Sequence, residues 1–117
     1  MHKMLIAIDS EVFTEALEQT FREDYKIYTC SCGDDALKLL RGKHPDIMII
    51  DLSLPNTNGL FVLQQTDYTP SIIIALTGYV SEQIVQAAQA AGVKSLIRIP
   101  CTIPCIVSHL NRLLLQK

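Results

Sequence analysis

Three polar residues each follow a short apolar run, at positions where their side chains could support chemistry. Asp51 follows the apolar run 47–50, and Asp9 and Thr77 follow two similar runs. A carboxylate in such a position can bind a metal ion, attack a phosphoryl group or cap a turn. Thr77 can donate a hydrogen bond, or it is simply a β-branched residue at the end of a strand. The residue types alone leave these alternatives open.

Two pairs of cysteines also have spacings that could support chemistry. Cys30 stands two residues before Cys32, and Cys101 stands four residues before Cys105. Either spacing could supply two zinc ligands. The alternative is that the thiols are reduced and fill small buried gaps, as cysteine often does in proteins.

Apolar patterning predicts five strands that alternate with five helices. The run before Asp51 is unbroken and β-branched, which is typical of a strand buried on both faces of a parallel sheet. Ser10 and Ser81 suit helix N-caps, and Gly42 suits the C-terminal cap of the second helix. The predicted strands are 3–8, 25–30, 47–50, 71–76 and 95–99, and the predicted helices are 11–21, 34–41, 60–66, 81–91 and 102–115.

The last helix has a predicted apolar stripe that should face the core. Its members recur at helical spacing, as expected of a helix that packs on a sheet. They are Ile103, Ile106, Val107, Leu110, Leu113 and Leu114.

This order of elements predicts an α/β fold. Strict alternation indicates a parallel sheet with right-handed crossovers and helices on both faces. The chain has 117 residues, of which 49% are hydrophobic, and this suits one domain that spans 1–117. Asp9, Asp51 and Thr77 then meet at the carboxyl edge of the sheet, where ligands bind in open α/β folds.

Composition argues against several classes of partner. The net charge is −2 and the charged residues are scattered, so there is neither a basic stripe for nucleic acid nor a polybasic membrane patch. The longest apolar runs have four or five residues, too few to cross a bilayer. The amino terminus has no signal-peptide profile. We expect a cytoplasmic protein that contacts neither membrane nor nucleic acid through this domain.

Several motifs together resemble the receiver domain of response regulators, over essentially the whole chain. The matching segments are Ile8-Asp9, Pro45-Asp46-Ile47-Met48-Ile49-Ile50-Asp51-Leu52-Ser53-Leu54-Pro55 with Gly59, Ala75-Leu76-Thr77-Gly78, and Ala90-Ala91-Gly92. The resemblance implies a flavodoxin-like (CheY-like), doubly wound, five-stranded parallel sheet with strand order 2-1-3-4-5 and five helices. It also implies a signalling module of a two-component phosphorelay and not an enzyme.

The resemblance assigns roles to four residues. Asp51 would be the phosphoryl acceptor, and Thr77 would hydrogen-bond a phosphoryl oxygen. The metal ligands would be Asp9, Asp51 and the main-chain carbonyl of Ser53. Magnesium suits such an all-oxygen site because it keeps several of its waters. The cation would offset the charge that builds up when one anion attacks another.

The resemblance also implies partners. A histidine kinase or a phosphotransfer protein would donate the phosphoryl group. A homodimer or partner surface would lie on the fourth helix, the fifth strand and the fifth helix. An effector domain outside this sequence would be the part that binds DNA.

Three positions depart from the pattern of the family. Receivers normally place two successive acids after the first strand, and here the second is Ser10. They normally place a lysine before the proline that follows the fifth strand, and here Ile99 precedes Pro100. The usual aromatic residue of the fifth strand is Leu96. The helix after the third strand is also about a turn shorter than usual.

These departures leave three interpretations. The first is a degenerate receiver with weak or atypical phosphorylation at Asp51. The second is an ordinary phosphorylated receiver in which Glu11 or water serves the metal and Arg98 serves the phosphate, although Arg98 should point to the opposite face from Ile99. The third is an enzyme, such as a phosphatase of the haloacid dehalogenase type. That enzyme needs an acid where Ser53 stands.

A flavin carrier on the same fold is a further alternative. It needs a phosphate-binding loop of Ser, Thr and Gly residues after the first strand. The carboxylates of Asp9 and Glu11 would repel a phosphate at that position.

Strand order bears on the cysteines as well. Cys30 and Cys32 follow the second strand, and Cys101 and Cys105 follow the fifth, at the opposite edge of the sheet. Four strand spacings of about 4.8 Å separate the pairs by about 19 Å. One tetrahedral zinc site has ligands at about 2.3 Å, so the two pairs should not form a shared site.

Overall fold

Residues 2–116, which the computed structural model describes, form five strands and five helices in strict alternation. The strands are β1 (His2–Ala7), β2 (Tyr25–Cys30), β3 (Ile47–Asp51), β4 (Ile72–Thr77) and β5 (Ser95–Arg98). The helices are α1 (Glu11–Phe21), α2 (Gly33–Lys43), α3 (Gly59–Gln65), α4 (Glu82–Ala90) and α5 (Ile103–Leu115). None of these helices is long and apolar enough to span a bilayer.

The five strands form one parallel sheet in the order β2-β1-β3-β4-β5. This confirms the predicted α/β fold and its flavodoxin-like strand order. The register places Asp51 opposite Leu76 and Thr77 opposite Arg98. The carboxyl ends of β1, β3 and β4 therefore meet at one edge of the sheet.

Alternate residues of each strand enter one of two apolar layers. One layer holds Met48, Ile50 and Ile73 together with residues of α2, α3 and α4. The other holds Ile49 and Ile74 together with residues of α1 and α5. These five strand residues are fully buried, and each such burial stabilises the fold by about 1.5–3 kcal/mol. The central strands are thus covered on both faces.

Polar side chains cap four of the helices at their amino ends. Ser10, Asn58, Ser81 and Thr102 each accept a hydrogen bond from the main-chain N–H three residues further on. Such a cap is worth about 1 kcal/mol relative to alanine. The predicted caps at Ser10 and Ser81 are confirmed.

The predicted C-terminal cap at Gly42 is wrong. Helix α2 continues to Lys43, and His44 takes the left-handed conformation with φ of 49°. The His44 ring stacks on Tyr68, with centroids 4.5 Å apart. The Tyr68 hydroxyl donates to the carbonyl of Pro45 at 2.8 Å. These tertiary contacts stabilise the last turn of α2, so the helix ends at Lys43 and not at Gly42.

The predicted core position of Leu114 is also wrong, because that side chain is 41% exposed. Ile106 and Leu110 of the same helix are buried as predicted. Leu114 lies near the end of α5 beside Ile72 and Lys94, where the strands begin and the sheet no longer covers the helix.

Candidate functional site

Asp51 is the last residue of β3 and is half-buried. Its Oδ1 accepts two hydrogen bonds from Ser53, from the main-chain N–H at 2.9 Å and from the hydroxyl at 2.8 Å. This is the turn-capping geometry that the sequence left open. Oδ2 accepts no hydrogen bond from residues 2–116, so one carboxylate oxygen remains for chemistry.

Asp9 and Ser10 follow β1 at the same edge of the sheet, and both are exposed. The Ser10 hydroxyl already accepts a hydrogen bond from the Phe13 N–H at 3.2 Å. Ser10 therefore serves the helix and brings no negative charge to the site. Glu11, the suggested substitute, lines a groove with Asp9 on the side of β2.

Thr77 ends β4 and is 6% exposed. Its hydroxyl donates to the Tyr79 carbonyl at 2.8 Å and accepts from the Tyr79 N–H at 3.2 Å. Both hydrogen bonds lie within its own loop. The hydroxyl must therefore exchange the bond to Tyr79 before it can donate to a group on Asp51.

Ile99 follows β5 and its side chain lies on the same face of the sheet as α1 and α5. Arg98, one residue earlier, is exposed and pairs with Thr77 in the register. Neighbouring strand residues point to opposite faces. Arg98 is not among the side chains beside Asp51, whereas Ile99 is.

A cleft of about 200 Å³ lies beside Asp51. We call it the Asp51 cleft, and it was not predicted from the sequence. Its polar members are Asp51 and Ser10, and its other walls come from the residue that follows β1, from α1 and β4, and from the segment between β5 and α5. Those walls are Ile8, Phe13, Leu76, Ile99, Pro100 and Cys101. The only available signal was the apolar residue at position 99, which follows a strand that ends at the site.

Two glycines near this edge allow the backbone of one segment to approach that of another closely. A Cβ on Gly59 would lie 2.4 Å from the Asp51 carbonyl oxygen, and one on Gly33 would lie 1.7 Å from the Thr57 carbonyl oxygen. The Thr57 hydroxyl also hydrogen-bonds the Asp34 carboxylate. The β3–α3 loop, which begins right after Asp51, is therefore fixed against α2.

Cys30 ends β2 and Cys32 follows it, whereas Cys101 and Cys105 follow β5, so the pairs lie at opposite edges of the sheet as predicted. All four thiols are free. Burial, with smaller contributions from Cys32 and Asp35, raises the pKa of Cys30 to about 12. Burial first, and then the neighbouring Cys105, raises the pKa of Cys101. Thiols of raised pKa are poor nucleophiles and poor metal ligands at neutral pH.

The structure brings Asp9, Asp51 and Thr77 to one edge, with Ser53 directly beside Asp51. Within residues 2–116 no three His, Cys, Asp or Glu side chains converge on one point. A metal at this edge would have two carboxylates and a main-chain carbonyl as protein ligands. That set fits Mg²⁺, which keeps several waters and needs few protein oxygens. It carries less negative charge than the family pattern, because Ser10 stands where that pattern has a second acid.

Fold and site together define a class of protein. It is a flavodoxin-like module whose strand ends present carboxylates, where a nucleotide-binding protein would present a phosphate-binding loop. The family model of the response regulator receiver domain matches residues 4–111, and the chain belongs to that family.

Curated relatives agree with this family. The chain is 33% identical over 116 residues to the Regulator of RpoS of Escherichia coli strain K12, a match that covers 95% of this chain and 32% of that protein. It is 33% identical over 78 residues to the Transcriptional regulatory protein AfsQ1 of Streptomyces coelicolor, a match that covers 63% of this chain and 35% of that protein. The matched part is about a third of each relative's length.

Solved structures share the fold. The non-phosphorylated HemR receiver domain of Leptospira biflexa superposes with a TM-score of 0.85 at 21% identity, over 100% of this chain and 97% of that one. The signal receiver domain of a signal transduction histidine kinase from Syntrophus aciditrophicus gives 0.79 at 26% identity, over 97% and 90%. Receiver domains are in general signalling modules that interact with histidine kinases or phosphotransfer proteins.

Proposed function

We propose that this chain is a two-component receiver in which Asp51 accepts a phosphoryl group slowly and phosphorylation is only weakly coupled to a conformational change. The observation that carries the proposal is the position of Asp51. It is half-buried at the carboxyl end of the central strand β3, and its Oδ2 has no donor among residues 2–116. The family places its acceptor carboxylate at the end of this strand.

The transfer itself requires one bond to form and one to break. A carboxylate oxygen of Asp51 forms a bond to the phosphorus of the donor, and the bond from phosphorus to the leaving group breaks. The electron pair leaves with that group, which is a carboxylate of an acyl phosphate or the imidazole of a phosphorylated histidine. Thr77 would then exchange its hydrogen bond to Tyr79 for one to a phosphoryl oxygen.

Asp9, Asp51 and the Ser53 carbonyl would hold Mg²⁺, and the chemistry that the ion supplies when bound is neutralisation of the charge between two anions. Ser10 in place of a carboxylate removes one negative charge a few ångströms away. In a partly solvated site that costs about 2–4 kcal/mol, which corresponds to about 30- to 1000-fold in affinity. We therefore propose weak magnesium binding.

Ile99 accounts for weak coupling. Its side chain cannot donate a hydrogen bond, and an apolar group beside a phosphoryl dianion leaves that charge uncompensated. A ligand or modification shifts a population only by its differential contacts with the two states. With few such contacts at Ile99 and no aromatic ring at Leu96, the phosphorylated state gains little over the resting one.

The position of Arg98 disfavours the interpretation in which substitutes complete the site. Arg98 does not line the Asp51 cleft, and as the strand residue next to Ile99 it should point to the opposite face. An enzyme of the phosphatase type is disfavoured as well. Such an enzyme needs an acid at position 53, and Ser53 instead donates its hydroxyl hydrogen bond to Asp51.

The setting we propose follows the family. The phosphoryl donor would be a histidine kinase or a phosphotransfer protein in the cytoplasm. The face formed by α4, β5 and α5 would bind a partner or a second copy of the chain. Residues 1–117 would form one receiver domain, which does not itself contact DNA. Any DNA binding would belong to an effector domain outside this sequence.

Radiolabelled acetyl phosphate, with and without magnesium, tests the proposal. We expect slow, magnesium-dependent labelling of the wild type and none of Asp51→Asn. Asp24→Asn, an equivalent change at an exposed site between α1 and β2, should label like the wild type. Labelling that persists in Asp51→Asn would show that Asp51 is not the acceptor. A wild type as fast with magnesium as without it would refute the role of the metal.

A further inference from the structure

The Asp51 cleft combines one anion with mostly apolar walls. Ile8 and Leu76 are buried, and Phe13, Ile99 and Cys101 are half-buried. Ser10 contributes a hydroxyl, but its oxygen is already used in capping α1. The cleft therefore offers a ligand a carboxylate at one place and carbon surface almost everywhere else.

The Asp51 carboxylate has no cationic partner in the part of the chain that the structure describes. Among residues 2–116, no lysine, arginine or histidine lines the cleft. Within residues 2–116 the one contact that could be an ion pair joins the His2 ring, when it is protonated, to Asp46. Asp46 lies just before β3, at the opposite end of that strand from Asp51. Ser53 supplies two donors to Oδ1 of Asp51, but within residues 2–116 Oδ2 accepts no hydrogen bond. A carboxylate oxygen bordered by apolar side chains is costly unless a donor or a cation meets it.

We propose that the Asp51 cleft binds a small organic cation, a primary ammonium group attached to a short apolar body. The ammonium has three donors for the carboxylate, and the body gains free energy by covering the apolar walls. A volume of about 200 Å³ lies below the roughly 300–1,000 Å³ of pockets for drug-sized ligands. The ligand must therefore be small.

Other ligand chemistries fit the cleft less well. Magnesium, as proposed above, needs Asp9 and the Ser53 carbonyl as well as Asp51, and neither of those two residues lines the cleft, so the ion would not cover the apolar walls. An organic anion would be repelled by Asp51. A neutral apolar molecule would cover the walls and leave Oδ2 of Asp51 without a donor. Only a cation with an apolar body matches both features at once.

This binding goes beyond the proposed receiver function, because it requires neither phosphoryl transfer nor magnesium. Labelling of Asp51 by acetyl phosphate and binding of an amine are separate measurements. The failure of one leaves the other standing.

Amide NMR titrations with phenethylamine and its neutral isostere 2-phenylethanol test the inference. We expect saturable shifts from phenethylamine at residues around the cleft, and binding of 2-phenylethanol that is weaker by about tenfold or more, since a hydrogen bond to a charged group is at stake. Asp51→Asn should lower the affinity for phenethylamine by a similar factor. Ile99→Lys, which places a tethered ammonium in the cleft, should abolish saturable binding.

Asp24→Asn is the matched control, because it removes the same charge from an exposed site outside the cleft. It should leave the affinity for phenethylamine unchanged. Equal binding of the amine and the alcohol would overturn the proposal. So would shifts that are scattered over the surface and fall equally in Asp24→Asn and Asp51→Asn.

Discussion

Ser10 shows how one residue can serve the helix at the expense of the site. Its hydroxyl oxygen accepts the Phe13 N–H and so begins α1. Aspartate is as good an N-cap as serine, and its second carboxylate oxygen would remain free. Ser10→Asp should therefore keep the helix and return a negative charge to the strand ends.

We predict that Ser10→Asp raises the affinity for magnesium by roughly 30- to 1000-fold, measured by isothermal titration calorimetry. Adding Ile99→Lys should widen the amide shifts caused by beryllofluoride, a stand-in for the phosphoryl group. In the wild type those shifts should stay close to Asp51.

The control for this change is Ser81→Asp. Ser81 caps α4 through the same contact, with its Oγ accepting the Ile84 N–H at 3.2 Å, but it does not line the Asp51 cleft. It should leave magnesium affinity as it is. Tight magnesium binding by the wild type would show that another residue completes the site.

Cys30 provides a prediction on pH. Its pKa is raised to about 12, mainly by burial, whereas the unfolded thiol titrates near 8.5. The protonated thiol therefore stabilises the fold at neutral pH, and this contribution is lost as the pH rises from about 9 towards 12.

We expect urea unfolding to show that the wild type loses more stability between pH 8 and pH 10.5 than Cys30→Ala does. Cys30→Ala removes the titrating group, so its remaining alkaline loss reports the tyrosines and other groups. If both proteins lose the same free energy of unfolding over this pH range, Cys30 ionises as readily in the folded state as in the unfolded state.

Among the elements, the β3–α3 loop depends on one close approach. A Cβ on Gly59 would lie 2.4 Å from the main-chain carbonyl oxygen of Asp51, and backbone atoms at this distance must move. Gly59→Ala should lower the free energy of unfolding by about 1–3 kcal/mol, measured by urea denaturation.

Gly42→Ala is the matched control within α2. A Cβ there meets nothing within 4 Å, and alanine favours the helix by up to about 1 kcal/mol. The two Gly→Ala changes should therefore have opposite signs. A Gly59→Ala protein as stable as the wild type would mean that the loop can shift at no cost.

The elements were predictable where local signals are strong. Unbroken apolar runs identified β3 and β4, and serine caps placed the starts of α1 and α4. The end of α2 was not predictable, because the His44–Tyr68 contact joins residues 24 positions apart. Leu114 was misplaced because periodicity does not show where the sheet beneath a helix ends.

The site was predictable only in part. The strand ends brought Asp9, Asp51 and Thr77 to one edge. The Asp51 cleft was missed, since Phe13 and Cys101 belong to α1 and the segment before α5 and meet only in the folded chain. The hydrogen bond from the Thr77 hydroxyl to the Tyr79 carbonyl was missed as well, because a sequence does not show which group a hydroxyl will contact.

At the scale of the whole molecule, the face of α4, β5 and α5 presents two exposed arginines, Arg98 and Arg112. The Arg112 guanidinium lies 2.9 Å from the His109 Nδ1, which also lies 2.6 Å from the Ser95 hydroxyl. This network ties α5 to β5 and holds Arg112 in place on the surface.

We predict that Arg98→Glu with Arg112→Glu weakens self-association and binding of the phosphoryl donor, measured by sedimentation and by titration. Reversing an exposed charge at an interface acts mainly on the rate of encounter and its salt dependence. Arg22→Glu with Arg41→Glu changes two exposed arginines, one directly after α1 and one on α2, and should change neither property. If both double variants behave like the wild type, this face is not the partner surface.

The contact of His2 with Asp46, which is an ion pair only when the imidazole is protonated, has a consequence for how the protein tolerates salt. Its side chains are 79% and 45% exposed and lie 3.6 Å apart, and such a pair contributes about 0–1 kcal/mol at most. Within residues 2–116 no other ion pair is present for dissolved ions to screen. The fold is held by the two apolar layers and by main-chain hydrogen bonds. Its melting temperature should therefore barely change between about 0.01 M and 0.15 M salt, the range over which screening of charges sets in.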